Sequence, residues 1–233
     1  MPFQPYNYST IDHRAWPLQQ RISRRIFVLV MRLLIRLEVE DVERIPATGA
    51  FVLAANHLHI LDPALGLICV PRHMVGFAKD KWRKPPFNWF LTGMSDIIFV
   101  GNSNRHALLQ AIKVLQAGGV MAILPEGTRS PTGALEKGFV GAAILATRAP
   151  APVVPAVIYG QEQAMKYWKR LRRVPVYARI GTLIELPPGK ADREQLETFT
   201  EQIMIAIARL LPPAYRGIYA ELANCAGEDH MLS

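Results

Sequence analysis

Runs of four or more consecutive apolar residues recur along this chain, and stretches with helical spacing lie between them. Phe51-Val52-Leu53-Ala54, Ile97-Ile98-Phe99-Val100 and the runs at 120–124 and 152–158 are apolar at nearly every position. A strand of that kind buries both of its faces, which requires a sheet covered by helices on both sides. Further strands are expected at 74–78 and, as one or two elements, within 174–184. Helices are expected at 64–70, at 107–117 before Gly118-Gly119, and at 137–148 before Pro150. The cleanest helix is expected at 194–211, where Leu196, Phe199, Ile203, Ile207 and Leu210 share one face before Pro212-Pro213. No internal repeat and no long linker divides the chain. The expected fold is therefore a single α/β domain, residues 39–233, with a central mostly parallel or mixed sheet flanked by helices. Before it lies an N-terminal segment, 1–38, that combines an irregular arm over 1–20 with an amphipathic helix. Residues 38–49 read as an acidic, turn-rich connector. Half of the 233 residues are hydrophobic and a fifth are charged, which suits a buried core and excludes a disordered chain. Two cysteines, Cys69 and Cys225, are too few for a disulfide framework and fit a reducing compartment.

The formal net charge of +8 calls for an anionic partner: nucleic acid, a membrane surface or a phosphorylated substrate. Residues 22–37 are the most apolar helical stretch, but Arg24, Arg25, Arg32 and Arg36 interrupt it. A spanning helix needs about 20 mostly apolar residues and rarely tolerates such charges. Nor does this stretch read as a secretory signal, because the arginines run through it and no small-residue cleavage site follows. Arg21, Arg25, Arg32 and Arg36 fall within about 60° of one another on a helical wheel, and Arg24 widens that arc to about 120°. Ile26, Phe27, Val30, Met31, Leu33, Leu34 and Leu37 make up the rest, and no acidic residue occurs from Ala15 to Leu37. An ordinary surface helix packed on the domain would share the apolar face. The absence of carboxylates favours a helix lying in the interface of an anionic membrane. A second basic run, five cations in residues 166–173, suits phosphates, anionic headgroups or another anionic partner.

Two loops carry the chemistry. Asn56-His57-Leu58-His59-Ile60-Leu61-Asp62-Pro63 directly follows an apolar strand, the favoured position for a site in an α/β fold. His57 and Asp62 are five residues apart and can meet only if His57 is in the loop and Asp62 at a helix start, where Asp62-Pro63 reads as an N-cap with Pro at the first helical position. A histidine oriented by a carboxylate is a general base near neutral pH. Leu124-Pro125-Glu126-Gly127-Thr128-Arg129-Ser130 follows another apolar strand. There Gly127 permits a close backbone approach to a ligand, Arg129 suits a phosphate or carboxylate, and Glu126 supplies an adjacent acceptor.

Together these loops resemble the glycerophospholipid acyltransferase family, typified by 1-acylglycerol-3-phosphate acyltransferases. Asn56-His57-x4-Asp62 is similar to its His-x4-Asp block, Phe99-Val100 to its second, Glu126-Gly127-Thr128-Arg129-Ser130 to its third and Val154-Pro155-Ala156 to its fourth. The resemblance spans residues 39–160. It implies that His57 deprotonates an acceptor hydroxyl while Asp62 holds its tautomer. The hydroxyl oxygen then attacks the thioester of acyl-CoA or acyl carrier protein with no acyl-enzyme, in phospholipid biosynthesis. Asn56, Glu126, Gly127, Thr128 and Arg129 would belong to the substrate site, and Lys79 would stand near the tetrahedral oxyanion. The second block commonly carries an Arg where this chain has Asn102, and Arg105 is the candidate replacement. The resemblance implies no cofactor and no metal. It also implies a lysophospholipid acceptor, most simply 1-acylglycerol 3-phosphate, and the basic helix adds the expectation of peripheral attachment to the cytoplasmic face of a membrane.

Three other readings compete. A nucleic-acid binder would explain the charge but not the two loops, and the chain has no nucleic-acid motif. A metal-dependent lipid hydrolase could use His57-x-His59, but Leu61 and Asp62 stand where such sites place Asp-His, and further ligands are lacking. A catalytically silent, membrane-binding relative would not need both loops intact.

Overall fold

A computed structural model of the protein describes residues 17–85, 92–101 and 104–225. Residues 1–16 of the expected arm and Asn102 lie outside the described residues. Seven strands form one mixed sheet: β1 (Ile35–Glu40), β2 (Phe51–Ala55), β3 (Met74–Lys79), β4 (Asp96–Val100), β5 (Val120–Ile123), β6 (Val153–Tyr159) and β7 (Val174–Ile180). Their order is β1-β7-β6-β2-β5-β3-β4. β6, β2, β5, β3 and β4 run parallel to one another, β7 runs antiparallel to β6, and β1 is parallel to β7. Helices described over their whole length are α1 (Leu18–Leu34), α2 (Asp62–Cys69), α3 (Asn104–Gln116), α4 (Gly141–Arg148), α5 (Ala164–Trp168), α6 (Arg193–Leu210) and α7 (Ala220–Cys225).

The apolar runs behave as their composition demands. All seven residues of β6 are buried, and successive residues of β2 serve opposite faces of the sheet. Val52 and Ala54 join a core with α3, α4 and α6, whereas Phe51 and Leu53 join one that includes Leu67 of α2. β7, one strand from the edge, alternates buried and half-buried. α6 opens on a capping box: the Asp192 side chain accepts from the Gln195 amide at 2.8 Å, and the Gln195 side chain accepts from the Asp192 amide at 3.0 Å. It buries Ile203, Met204, Ile207 and Ala208.

The structure departs from expectation at the N-terminal end. α1 ends at Leu34, not Leu37, and β1 follows without a break, inside the stretch expected to be helix and connector. Ile-Arg-Leu-Glu-Val-Glu has the period of an edge strand, with only Ile35 fully buried. α1 itself has three faces. Gln20, Phe27 and Met31 turn to the domain: the Gln20 amide reaches Asp96 Oδ1 at 3.0 Å and His73 Nε2 at 3.0 Å. Arg24 donates to the Val70 carbonyl, and burial lowers its pKa. The exposed apolar stripe keeps Ile26, Val30, Leu33 and Leu34 of the expected face and adds Leu18, Ile22 and Leu29, while Phe27 and Met31 turn inward. Arg21, Arg25 and Arg32 border it. Among the described residues no helix is long and apolar enough to cross a membrane.

Candidate active site

The three central strands end side by side, and each delivers part of the site: β2 leads into Asn56 and His57, β5 into residues 124–130, and β6 into Gln161. Asn56 is buried and continues the β2–β6 pairing with its side chain. Its Nδ2 donates to the Ile158 carbonyl and its Oδ1 accepts the Ile158 amide, both at 2.9 Å. Both polar atoms of this amide are thus engaged by backbone, and they anchor the end of β2 immediately before His57.

His57 Nδ1 lies 2.9 Å from Asp62 Oδ2. An ionised carboxylate only accepts, so Nδ1 carries the proton and the Nε2 lone pair is left for a substrate. The same Oδ2 accepts the amides of Leu58 at 2.7 Å and His59 at 2.8 Å, and Oδ1 accepts from Gln161 Nε2 at 2.8 Å. Four donors therefore converge on one buried carboxylate. Asp62 is the first helical residue rather than the N-cap, a position held by Leu61. Its side chain turns back on the loop and not onto the first amides of α2. Pro63 needs no amide partner there, which leaves the carboxylate to the loop.

Glu126 is 3% exposed. Its Oε1 accepts the His57 amide at 2.8 Å and its Oε2 the Glu136 amide at 3.1 Å. Burial pushes its pKa up, while the two amides and His57 pull the other way. The Ser130 amide donates to the His57 carbonyl at 2.8 Å. The 126–130 loop thus holds both backbone polar atoms of His57. Gly127, at φ +66°, makes this turn, and an added Cβ would come within 3.3 Å of the Phe139 ring. Thr128 and Arg129 are exposed, and among the described residues no hydrogen bond or ion pair involves their side chains. Lys79 ends β3 and Arg105 is the second residue of α3, both exposed at this same end of the sheet. Hydrogen bonds therefore unite His57, Asp62 and Glu126. Lys79, Arg105, Thr128 and Arg129 share the strand-end surface without being tied to that network.

Gln161 was not anticipated. It is 1% exposed, and its Nε2 also donates to the Ile158 carbonyl at 3.2 Å. The signal that could have found it is its position: a polar residue just after a fully apolar strand and a glycine. Gly160 takes φ +100°, and an added Cβ there would stand 2.3 Å from the Pro175 carbonyl oxygen. Behind Gln161, Tyr215 donates to Glu162 at 2.7 Å, and its pKa is pushed up to about 12 by burial and by that carboxylate. Beneath the Asn56–Asp62 corner lies an apolar hollow lined by Leu53, Gly66, Cys69, Ala156 and Ile180. His59 accepts weakly from the Leu61 amide at 3.4 Å. No cluster of three His, Cys, Asp or Glu able to hold a metal occurs among the described residues.

A sequence model of the Acyltransferase family matches residues 36–159. A 1-acyl-sn-glycerol-3-phosphate acyltransferase from Cocos nucifera is 26% identical over 97% of this chain and 73% of its own length. One from Chlamydomonas reinhardtii is 31% identical over 76% of this chain and 53% of its own, and one from Bacillus subtilis 26% identical over 74% and 87%. The chain thus spans from about half to nearly nine tenths of these relatives. The crystal structure of the 1-acyl-sn-glycerophosphate (LPA) acyltransferase PlsC from Thermotoga maritima matches with a TM-score of 0.62 and 27% identity, covering 82% of this chain and 78% of that one.

Proposed function

This chain belongs to the acyltransferase family, and from that membership we propose that it moves a fatty acyl group from acyl-CoA or acyl carrier protein to the free hydroxyl of 1-acylglycerol 3-phosphate, giving phosphatidate. His57 Nε2 removes the proton of the acceptor hydroxyl as its oxygen attacks the thioester carbonyl. Asp62 keeps the Nδ1–H tautomer and stabilises the imidazolium that forms. The tetrahedral intermediate collapses, the C–S bond breaks, and the imidazolium returns its proton to the departing thiolate. No acyl-enzyme and no cofactor enters. Arg129 receives the acceptor's phosphate, since a guanidinium pairs bidentately with phosphate, and Arg105 assists it. Lys79 offers a positive charge to the oxyanion. The observation that carries the reading is the 2.9 Å His57–Asp62 contact, with no hydrogen bond to Nε2 among the described residues.

The exposed apolar stripe and bordering arginines of α1 support a second part of this reading: peripheral attachment to the cytoplasmic leaflet of an anionic membrane. An acceptor and product that both reside in a bilayer then need not be fully extracted from it.

The test is mass spectrometry of products from a panel of lysolipids with labelled acyl-CoA and acyl carrier protein, with Arg129→Lys alongside. Phosphatidate is expected as the main product. The kcat/KM preference for a phosphorylated over an unphosphorylated acceptor should fall in the variant by a good part of the roughly 10- to 150-fold that losing a charge-assisted contact costs. Thioester or lipid hydrolysis without transfer would overturn the reaction. An unchanged preference in a folded variant would remove Arg129 from the phosphate.

A further inference from the structure

The connection from β6 to β7 ends in a feature that folding alone does not favour. After α5 the chain turns sharply, with the Arg170 amide on the Tyr167 carbonyl and the Leu171 amide on that of Trp168, both at 2.9 Å. Leu171 adopts φ +52°, a left-handed conformation that disfavours any residue with a Cβ and usually falls to glycine. Its side chain is 98% exposed. A bulky apolar residue is thus held in solvent by a backbone conformation that glycine would adopt more easily. Met165, in α5 just before the turn, is 62% exposed. Around them stand Lys166, Lys169, Arg170, Arg172 and Arg173, all exposed. Among the described residues none of these five cations has an ion-pair partner, and the sequence has no acid between Glu162 and Glu185.

The turn is bolted to α1. Trp168 Nε1 donates to the Leu34 carbonyl at 3.0 Å, and Arg173 Nε to the Ile35 carbonyl at 2.9 Å. β7 is antiparallel to β6 and β1 is parallel to β7. The junction of turn and helix therefore lies at the end of the sheet where β2, β5 and β6 deliver His57, Glu126 and Gln161. Leu33, at the tip of the α1 stripe, is 71% exposed beside this junction.

We propose that residues 165–173 are a second contact with an anionic lipid bilayer, in which Leu171 enters the acyl region while the surrounding cations meet headgroup phosphates. The proposal rests on the reading of α1 as an interfacial helix and extends it: two contacts joined at one corner set the strand-end surface toward the membrane. An acidic carrier protein would satisfy the cations. The lipid surface is favoured because it also accounts for the exposed Leu171 and Met165 and for their junction with the apolar stripe of α1.

The experiment measures affinity for phosphatidylcholine vesicles with and without phosphatidylglycerol. Leu171→Gly is the decisive variant, because it relieves the left-handed strain while removing the side chain. It is expected to melt no lower than wild type and to bind anionic vesicles at least about tenfold more weakly, the loss of one buried leucine. Replacing Lys169, Arg170 and Arg172 together by Gln should weaken binding about a hundredfold at low salt, about fivefold per charge, and much less at high salt. Ile22→Asp with Leu29→Asp reports on α1 separately. If Leu171→Gly binds as wild type while the α1 variant does not, this turn is not a membrane contact and the α1 reading stands. If wild type itself fails to bind vesicles, both fall. If the triple variant keeps its vesicle affinity but loses turnover with acyl carrier protein thioester and not with acyl-CoA, the turn docks a protein and the lipid assignment is overturned.

Discussion

Replacing Glu126 with Gln distinguishes a carboxylate that grips the catalytic loop from one that touches the acceptor. Its two oxygens accept one amide each, from His57 at 2.8 Å and Glu136 at 3.1 Å. A carboxamide has one oxygen and one NH2, so one of these amides must face another donor. Losing a hydrogen bond to a charged group costs about 1.5–3 kcal/mol, and relief from burying the charge returns part of it. A net loss of about 1–2 kcal/mol lowers Tm by about 2–8 °C in a chain of this size. If the carboxamide oxygen stays on Glu136 and the NH2 faces the His57 amide, the catalytic loop shifts and kcat should fall about 10- to 100-fold, with KM for the acceptor nearly unchanged. The pH dependence carries a sign. Burial raises the Glu126 pKa, so the folded state binds this proton more tightly than the unfolded state. Stability therefore falls as pH rises from the ordinary carboxyl value through the raised one, and is level above it. Thermal melts across that window should show this slope in wild type and lack its Glu126 share in the variant. A variant with unchanged Tm and kcat but a tenfold higher KM for the acceptor would refute the clamp and place Glu126 on the substrate.

Gln161→Leu removes the donor on Asp62 Oδ1 and should lower kcat about 3- to 30-fold with little change in KM. Gln161→Glu should be worse, because it sets a second carboxylate against Asp62; steady-state kinetics of both variants checks this. His57→Ala should cost on the order of 10²–10⁴ in rate, and His59→Ala, outside the dyad, only a few-fold, read under conditions where chemistry limits turnover. Arg72 is 1% exposed and donates to the carbonyls of Pro46, Gly49 and Gly118. Arg72→Met should therefore cost about 3 kcal/mol or more in denaturant melts, without altering kcat/KM of the folded fraction.

Much of this fold could be read from apolar runs, because a strand buried on both faces has little choice of residue: β2, β5 and β6 were expected where they lie. The loops after β2 and β5 stood out for the same reason, as polar chemistry directly after such strands. Three features escaped, each for its own reason. β1 alternates apolar with charged residues and so resembled the end of an amphipathic helix. Periodicity showed that Phe27 and Met31 are apolar, not that the sheet would claim them while Leu18, Ile22 and Leu29 stay exposed. Gln161 meets Asp62 across 99 residues of sequence, and only the adjacency of β6 to β2 brings them together. Asp62 was expected to meet His57 and does, although from the first helical position, with Leu61 as the N-cap.

The edge position of β1 bears on how the chain survives its own synthesis. β1 has one neighbour, β7, and Glu40 meets Arg179, its 2.7 Å ion-pair partner, 139 residues later. At about 5–20 residues per second, a nascent β1 waits roughly 7–30 seconds before β7 exists. An unpaired strand is a template for other chains during that wait. Arg36, Glu38 and Glu40 place a charge at every second position of β1, so that two nascent copies pairing edge to edge would have to align charged rows. The alternation that disguised this strand also guards it until its partner emerges.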